Sequence, residues 1–421
     1  MKRILTLLLA VLTLTGCSGL ANKDNIINLL SSPKLSQRES EIVAVIKEHL
    51  GQDIILKYPK QGNNISPVQL TDISANGTEE AVVLYTAPNT GGNVRIAVLS
   101  QNESGWNLEY DAEGYGTEIY KVIFADLDGK DDSQIIIGYT YADSSEKFLT
   151  IYNTEDGKIR DVQYQPCQDF LVEDITGDGI KDVILASLNA DNKNTQLRVL
   201  STQDSHMLTN LAVKQLPVTN ARVTNIAVSN TDFSEKKAIV TDYTDNYFRV
   251  YTQRVYYDNY SFTTVMDSDV VQKRWVYDYD LNSKDVDGDG FIETPTVITD
   301  VVSTPENLKF MEWTSFLSTE PVRKFYGVCE ADTGLYFPLP DEWQNLVELQ
   351  YGPQEINWQV LKSEDGAVLV DFMLLPTGYG DKTEDNEVIV NTGALQVKVK
   401  FDESVSEQQR QYIAGGIMYI K

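Results

Sequence analysis

Histidine and cysteine are scarce in this 421-residue sequence, which contains two histidines and three cysteines. Neither His49 nor His206 lies in a metal-binding spacing or a nucleophile motif. G-x-S-x-G, the phosphate-binding P-loop and H-E-x-x-H are all absent, so the sequence carries no motif of the common hydrolases or nucleotide-binding enzymes. A site built from carboxylates, Tyr and Arg stays open, because 62 acidic residues offer many pairs and the sequence does not say which converge.

Basic residues are also few. The chain has 35 Lys and Arg against 62 Asp and Glu, for a net charge of −27. Such a charge repels phosphate backbones and anionic lipid surfaces, which makes nucleic acid a poor partner. It suits solubility and loops that bind divalent cations.

No hydrophobic run is long enough for a stable membrane-spanning helix. The apolar run from Ile4 to Leu14 follows Lys2 and Arg3, as in a secretory signal. The run ends in Leu14-Thr15-Gly16-Cys17, which resembles the lipobox of bacterial lipoproteins. The resemblance implies a diacylglycerol on Cys17, cleavage before it, and an extracytoplasmic protein held on the membrane by lipid. The alternative is an ordinary signal peptide with an incidental cysteine.

The other two cysteines, Cys167 and Cys329, lie 162 residues apart. They could pair in an oxidising compartment, but two isolated cysteines do not make a disulfide framework, so free thiols are the other interpretation.

The most informative stretch is the acidic loop 285–293. Asp285, Asp287, Asp289 and Glu293 occupy positions 1, 3, 5 and 9, and a glycine at position 6 permits a sharp turn around a hard cation. Calcium is the predicted ion, with the backbone carbonyl of Phe291 as a further ligand. A β-rich run follows where an EF-hand would start a helix, so the loop is not an EF-hand.

The pattern recurs upstream before short apolar runs, which indicates a repeat. The copy at 174–182 supplies the second predicted calcium site, whose ligands are Asp174, Thr176, Asp178, Ile180 through its carbonyl, and Asp182. The copy at 126–134 departs from the pattern, with Lys130 at position 5, and the copy at 72–80 is weak. The spacing predicts a worn fifth copy at 229–237.

These loops resemble those of the FG-GAP/VCBS family of β-propeller repeats, over roughly residues 66–318. The resemblance implies calcium between blade strands. The alternative is that Asp merely caps each turn through hydrogen bonds to the backbone.

We therefore predict a mainly β chain, a β-propeller of about five four-stranded blades with five to seven consistent with the spacing, plus a small antiparallel α+β domain. The predicted divisions are a signal peptide (1–16), the lipidated Cys17 with a tether and a helix (17–65), the propeller (66–318) and the separately cored α+β domain (319–421). In the second segment, Ile42, Val43, Ile46 and Leu50 recur at helical spacing. The tyrosines at 243–279 indicate either packing between blades or an aromatic platform for sugars.

The expected function is that of a lipid-anchored, extracytoplasmic binding or scaffold protein whose partner is an envelope protein or a glycan. The alternative is an enzyme that acts on envelope polysaccharide and uses the propeller as a platform.

Overall fold

The structure is a computed structural model that describes residues 35–88, 91–142, 146–191, 194–202, 208–232, 236–247, 249–264, 272–274, 281–298, 305–315, 321–353, 357–378, 386–393 and 395–420. The signal peptide and Cys17 lie outside these ranges, as does the predicted domain boundary at 318/319. Within them the chain is mainly β, with six antiparallel sheets and two α-helices.

The first described element is α1 (Gln37–Leu50), which confirms the predicted amphipathic helix. Ser36 caps it, and Glu39 completes a capping box by accepting from the Ser36 backbone N–H. Ile42 and Ile46 are fully buried and pack with Val83 and Ala97 of the first sheet.

Four consecutive sheets are antiparallel meanders of neighbouring strands, the arrangement of propeller blades. Blade 1 contains β2 (Val68–Thr71), β3 (Glu80–Thr86), β4 (Arg95–Asn102) and β5 (Gly105–Glu113), with β1 (Ile55–Leu56) also paired to β3. Blade 2 contains β6 (Glu118–Ala125), β7 (Gln134–Thr140), β8 (Lys147–Glu155) and β9 (Lys158–Cys167). Blade 3 contains β10 (Asp169–Glu173), β11 (Asp182–Leu188), β12 (Thr195–Ser201) and β13 (Thr209–Gln215). Blade 4 contains β14 (Arg222–Ser229), β15 (Ala238–Thr244), β16 (Val250–Asp258) and β17 (Ser261–Thr264), with β18 (Gln272–Arg274) also paired to β16.

The second strand of each blade is its buried centre. All residues of β7 are buried, and β3, β11 and β15 each have six buried residues out of seven. This confirms that the continuous apolar runs after the acidic loops are strands covered on both faces. Successive blades share their cores: Leu84 packs with Ile137 between blades 1 and 2, and Ile184 packs with Ile239 between blades 3 and 4.

Two further sheets complete the chain. Blade 5 contains β19 (Glu293–Val297), β20 (Leu308–Ser315), β21 (Val322–Glu330), β22 (Leu335–Leu339) and β28 (Met418–Tyr419). The last sheet contains β23 (Val347–Tyr351), β24 (Asn357–Lys362), β25 (Val368–Pro376), β26 (Glu387–Asn391) and β27 (Leu395–Phe401), and is followed by α2 (Glu407–Gly415). A short 3₁₀ helix (Asp341–Trp343) connects the two sheets.

The predicted division at 318/319 does not separate two sheets. It falls between β20 and β21, which pair from Leu308↔Glu330 to Ser315↔Val322. The predicted separate core is also corrected, because Phe310 and Val328 of blade 5 share one hydrophobic cluster with Phe372 of the last sheet. The acidic repeats stop here in the sequence, but strand pairing and packing continue past that point.

Two smaller predictions concern side chains. Cys167 and Cys329 are both buried and no disulfide joins them, so the thiol interpretation holds and the disulfide does not form. Tyr243 is fully buried and stacks on Tyr251 with ring centroids 5.5 Å apart. This tyrosine therefore packs inside blade 4, although residues 248, 265–271 and 275–279 of the same stretch lie outside the described part of the chain.

Candidate metal centre

Each acidic repeat forms the loop between the first two strands of a blade. We number them loop 1 (72–80), loop 2 (126–134), loop 3 (174–182), loop 4 (the worn copy, 229–237) and loop 5 (285–293). In blade 5 the first strand is reduced to a bridge, in which Lys284 and Glu293 exchange backbone hydrogen bonds on either side of loop 5.

Backbone hydrogen bonds join three pairs of neighbouring loops. The Ser133 N–H of loop 2 donates to the Ile73 carbonyl of loop 1 at 2.7 Å, and the Lys181 N–H of loop 3 donates to the Asp126 carbonyl of loop 2 at 3.2 Å. Loop 5 accepts from loop 4 in the same way, through Asn230 and the Gly290 carbonyl at 2.9 Å. These bonds connect blades 1, 2 and 3 to one another, and blade 4 to blade 5.

A common backbone conformation underlies loops 1, 2, 3 and 5. Positions 4 and 6 have positive φ in all four, at Ala75 and Gly77, Gly129 and Asp131, Gly177 and Gly179, and Gly288 and Gly290. The carboxylate at position 1 accepts hydrogen bonds from the inward-facing N–H groups of the turn. In loop 5 the Asp285 oxygens accept from Gly288 at 2.7 Å and from Gly290 at 2.8 Å.

The side chain at position 9 reaches back to the N–H at position 2, a contact that the sequence analysis missed. The four pairs are Glu80 with Ile73, Gln134 with Leu127, Asp182 with Ile175, and Glu293 with Val286, at 2.6–3.0 Å. Gln134 at position 9 was the one sequence signal for this hydrogen bond. An amide keeps the acceptor oxygen that the bond needs, but it is a poorer ligand for a cation than a carboxylate. Position 9 therefore closes the loop with or without an ion.

Loop 5 brings three of its predicted ligands together. Oxygens of Asp285, Asp287 and Asp289 lie within 4.8 Å of one another, and this is the one such group of three acidic, His or Cys side chains in the described ranges. Asp289 accepts from the Phe291 N–H at 2.9 Å, which holds the turn before the predicted carbonyl ligand.

Lys324 of β21 partly neutralises this cluster. Its Nζ lies 2.5 Å from Asp289 and 3.7 Å from Asp287. Burial is the largest single influence on Asp289 and works against its ionisation. The hydrogen bonds from Lys324 and from the Phe291 N–H, together with the charge of Lys324, outweigh burial and lower the pKa of the carboxyl. The same hydrogen bond raises the pKa of Lys324. Lys324 lies 35 positions after Asp289 in the sequence, so no local motif indicates it.

Glu293 is the buried member of the site. Its side chain is inaccessible to solvent, one oxygen accepts from Val286 at 3.0 Å, and the other, Oε1, has no hydrogen-bond partner among the described residues. Burial raises the pKa of Glu293 to about 7, and the charges of Asp287 and Asp289 add to the rise. A buried, unpartnered carboxylate oxygen in the same loop as three clustered carboxylates fits a calcium ion, because the ion would supply the missing partner.

Loop 3 shares part of this arrangement. Asp182 is fully buried with Oδ1 unpartnered in the described part of the chain, and burial raises its pKa. Its other oxygen accepts from the Thr176 hydroxyl at 3.0 Å, while Asp174 accepts from Gly177 at 2.6 Å. Asp178 accepts from the N–H of Ile180. These ligands occupy one turn but do not form a compact acidic trio like that of loop 5.

In loops 1 and 2, the corresponding side chains find partners within the protein, without an ion. The second oxygen of Glu80 accepts from the Ser74 hydroxyl at 3.0 Å. In loop 2, Lys130 places its ammonium 3.0 Å from Asp128. The amide nitrogen of Gln134 donates to the position 7 carbonyl of Asp132 at 3.3 Å. That contact shows that the position 7 carbonyl and the position 9 side chain face each other in this loop.

Comparison with known proteins gives one match to a family model, at the N-terminus. The prokaryotic membrane lipoprotein lipid attachment site matches residues 1–18, which include Cys17. The chain is thus a membrane-anchored, extracytoplasmic protein, and the described residues contain no helix long and apolar enough to cross a membrane.

Comparisons over the full length identify no function. No curated protein matches the chain. A solved structure described as that of the Dos1 propeller is similar over 82% of this chain and 83% of its own, at 10% identity and a TM-score of 0.34.

The arrangement of loop 5 predicts how Glu293→Gln changes the melting temperature in chelator and in calcium. The amide can still accept from Val286, as Gln134 does from Leu127, so in chelator at pH 8 the melting temperature should equal or exceed that of the wild type. In calcium the melting temperature of the wild type should be higher than that of the variant, because the variant lacks a charged ligand. Circular dichroism melts in both buffers measure this. A variant with an undiminished calcium response would show that Glu293 is not a ligand.

Proposed function

We propose that this chain is a lipid-anchored binding or scaffold protein of the cell envelope, in which loop 5 binds a structural calcium ion. Loop 3 is the second proposed calcium site. The observation that carries the calcium proposal is the cluster of the Asp285, Asp287 and Asp289 carboxylates in the same loop as the buried, unpartnered Oε1 of Glu293.

The scaffold role is supported by where this ion would act. Loop 5 packs on blade 4, since Ile292 lies against Ala238 and Val240 and its N–H donates to the Ser229 hydroxyl at 2.9 Å. An ion in loop 5 would therefore stiffen the junction between blades 4 and 5. Mass action makes this a stabilising effect, because an ion bound only by the folded state favours that state.

The enzyme alternative requires Tyr, Arg and a carboxylate to meet at an open site. One such trio occurs on β3, β4 and β5, where Arg95 and Tyr85 both bind Asp111. Tyr85 is fully buried, and its burial raises the hydroxyl pKa above the normal value. The three groups satisfy one another inside blade 1, which favours a structural role for this trio.

Calcium should act through loop 5 and not through loop 2. Asp287→Ala and Asp128→Ala each remove the position 3 carboxylate, but Asp128 is already paired with Lys130. Calcium at about a hundredfold above its Kd should stabilise the wild type by about 2.7 kcal/mol per site. We expect Asp287→Ala to lose most of the loop 5 contribution and Asp128→Ala to keep it, as measured by melting temperatures in calcium and in chelator. Identical wild-type melts in both buffers would contradict the calcium proposal.

Anchoring should depend on the thiol of Cys17. Cys17→Ala should move the protein from the membrane pellet to the medium or to an unprocessed precursor, since two acyl chains suffice for stable anchoring. Fractionation and immunoblotting measure the shift. Cys167→Ala is the matched control, because that cysteine is buried in blade 2 and should leave anchoring unchanged. Normal processing and membrane association of Cys17→Ala would rule out acylation at this residue.

A further inference from the structure

Four aromatic rings form one exposed cluster at the junction of blades 1 and 2. Tyr115 and Tyr164 have ring centroids 4.7 Å apart, Tyr164 stacks on Phe148 at 5.5 Å, and Tyr141 meets Phe148 edge-on at 5.8 Å. We call Tyr115, Tyr141, Phe148 and Tyr164 the aromatic platform. Contiguous exposed aromatic surface on a protein usually marks an interaction site.

The backbone fixes Tyr115 in place. It lies between Gly114 and Gly116, where an added Cβ would come within 2.6 Å of the Tyr139 ring and of the Thr140 carbonyl, respectively. Val94 of blade 1 hydrogen-bonds to both glycines at 2.7 Å. The chain can run this close to β7 only because both residues lack a side chain, and the tight packing leaves Tyr115 directed towards the platform.

Blade 2 supplies the other three rings. Tyr164 lies on the outer strand β9, and Phe148 lies on the adjacent β8, opposite Pro166. Tyr141 directly follows β7, and the next residue, Ala142, is tied by its N–H to the Thr117 hydroxyl at 3.1 Å. Phe148 and Tyr164 therefore lie on paired strands, and Tyr115 and Tyr141 lie in turns held by neighbouring hydrogen bonds, which lowers the entropy cost of binding.

The exposed parts of these rings are amphipathic. Tyr115 is 42% exposed, and Tyr141 and Tyr164 are each 40% exposed. A ligand that covers these exposed tyrosines could hydrogen-bond to their hydroxyls. Tyrosine offers an apolar ring face and a polar tip at low conformational cost. A pyranose presents the complement, with a C–H face for the ring and hydroxyls for the phenols.

Charge limits which polymer can bind. The chain carries a net charge of −27, which repels anionic polymers. Its lipid attachment site places it in the envelope, where polysaccharide is abundant. A neutral glycan satisfies both conditions.

We propose that Tyr115, Tyr141, Phe148 and Tyr164 form a binding platform for a neutral polysaccharide, with pyranose faces stacked on the rings. The proposal rests on the binding role proposed above and names its ligand class, but it uses no residue of the calcium loops. Tyr243, which the sequence had indicated for such a platform, is buried and takes no part.

Affinity electrophoresis of the full-length lipoprotein in detergent tests the proposal. The gels contain hydroxyethyl cellulose, laminarin or glycol chitin as neutral probes, and polygalacturonate as the anionic comparison. We expect at least one neutral polysaccharide to retard the wild type. Tyr164→Ala and Tyr115→Ala should each weaken retardation about tenfold or more, from the loss of a stacked ring. Tyr164→Phe should retain most of the binding, because it keeps the ring.

Tyr247→Ala is the matched control, since Tyr247 is 78% exposed on blade 4 and away from the platform. Each variant must keep the wild-type melting temperature and membrane fractionation, so that loss of glycan binding is separable from failure of the fold or of anchoring. Absence of retardation by every neutral polysaccharide would overturn the proposal. Equal retardation of wild type, Tyr115→Ala and Tyr164→Ala would overturn it as well. If these variants kept their glycan retardation and lost only an envelope protein partner, the platform would be a protein interface and the glycan proposal would be wrong.

Discussion

The hydrogen bond from the position 2 N–H to the position 9 side chain is the constraint on which the acidic loops depend. It closes the turn between the first and second strands of blades 1, 2, 3 and 5. Since position 9 begins the buried second strand, the same residue anchors the loop in the blade core. Backbone bonds between neighbouring loops then connect blades 1, 2 and 3 to one another, and blade 4 to blade 5. Local turn geometry and the packing of successive blades are therefore linked.

The position 9 side chain uses one polar atom to close the loop. Whether its second polar atom is paired within the protein decides whether the loop suits a cation. Loop 1 satisfies that atom with Ser74, and loop 2 replaces the carboxylate with Gln134 and adds the ammonium of Lys130. Loops 3 and 5 leave a buried carboxylate oxygen without a partner among the described residues. The same turn thus exists in internally neutralised forms and in forms suited to a cation. This graded series supports capping and calcium binding as two uses of one loop, rather than as competing interpretations.

Much of the local structure was predictable, because periodicity and turn chemistry act over short distances. The α1 helix, the buried second strands and the position of the acidic loops between strands follow from patterns within about ten residues. Pairing between distant segments did not follow. The β20–β21 pairing across 318/319, the return of β28 to blade 5 and the approach of Lys324 to loop 5 each depend on tertiary packing. The aromatic platform was invisible for the same reason, since Tyr115 meets Tyr164 only through the docking of two blades.

Calcium in loop 5 is the central claim, and anomalous diffraction from crystals grown with calcium tests it most directly. The account predicts an anomalous peak at about 2.4 Å from oxygens of Asp285, Asp287, Asp289 and Glu293 and from the Phe291 carbonyl. It also predicts that the Lys324 ammonium has moved away from Asp289, because the ion takes over that charge. An ordered loop 5 with no peak, and with Lys324 still bound to Asp289, would contradict the claim and leave the acidic residues as turn caps.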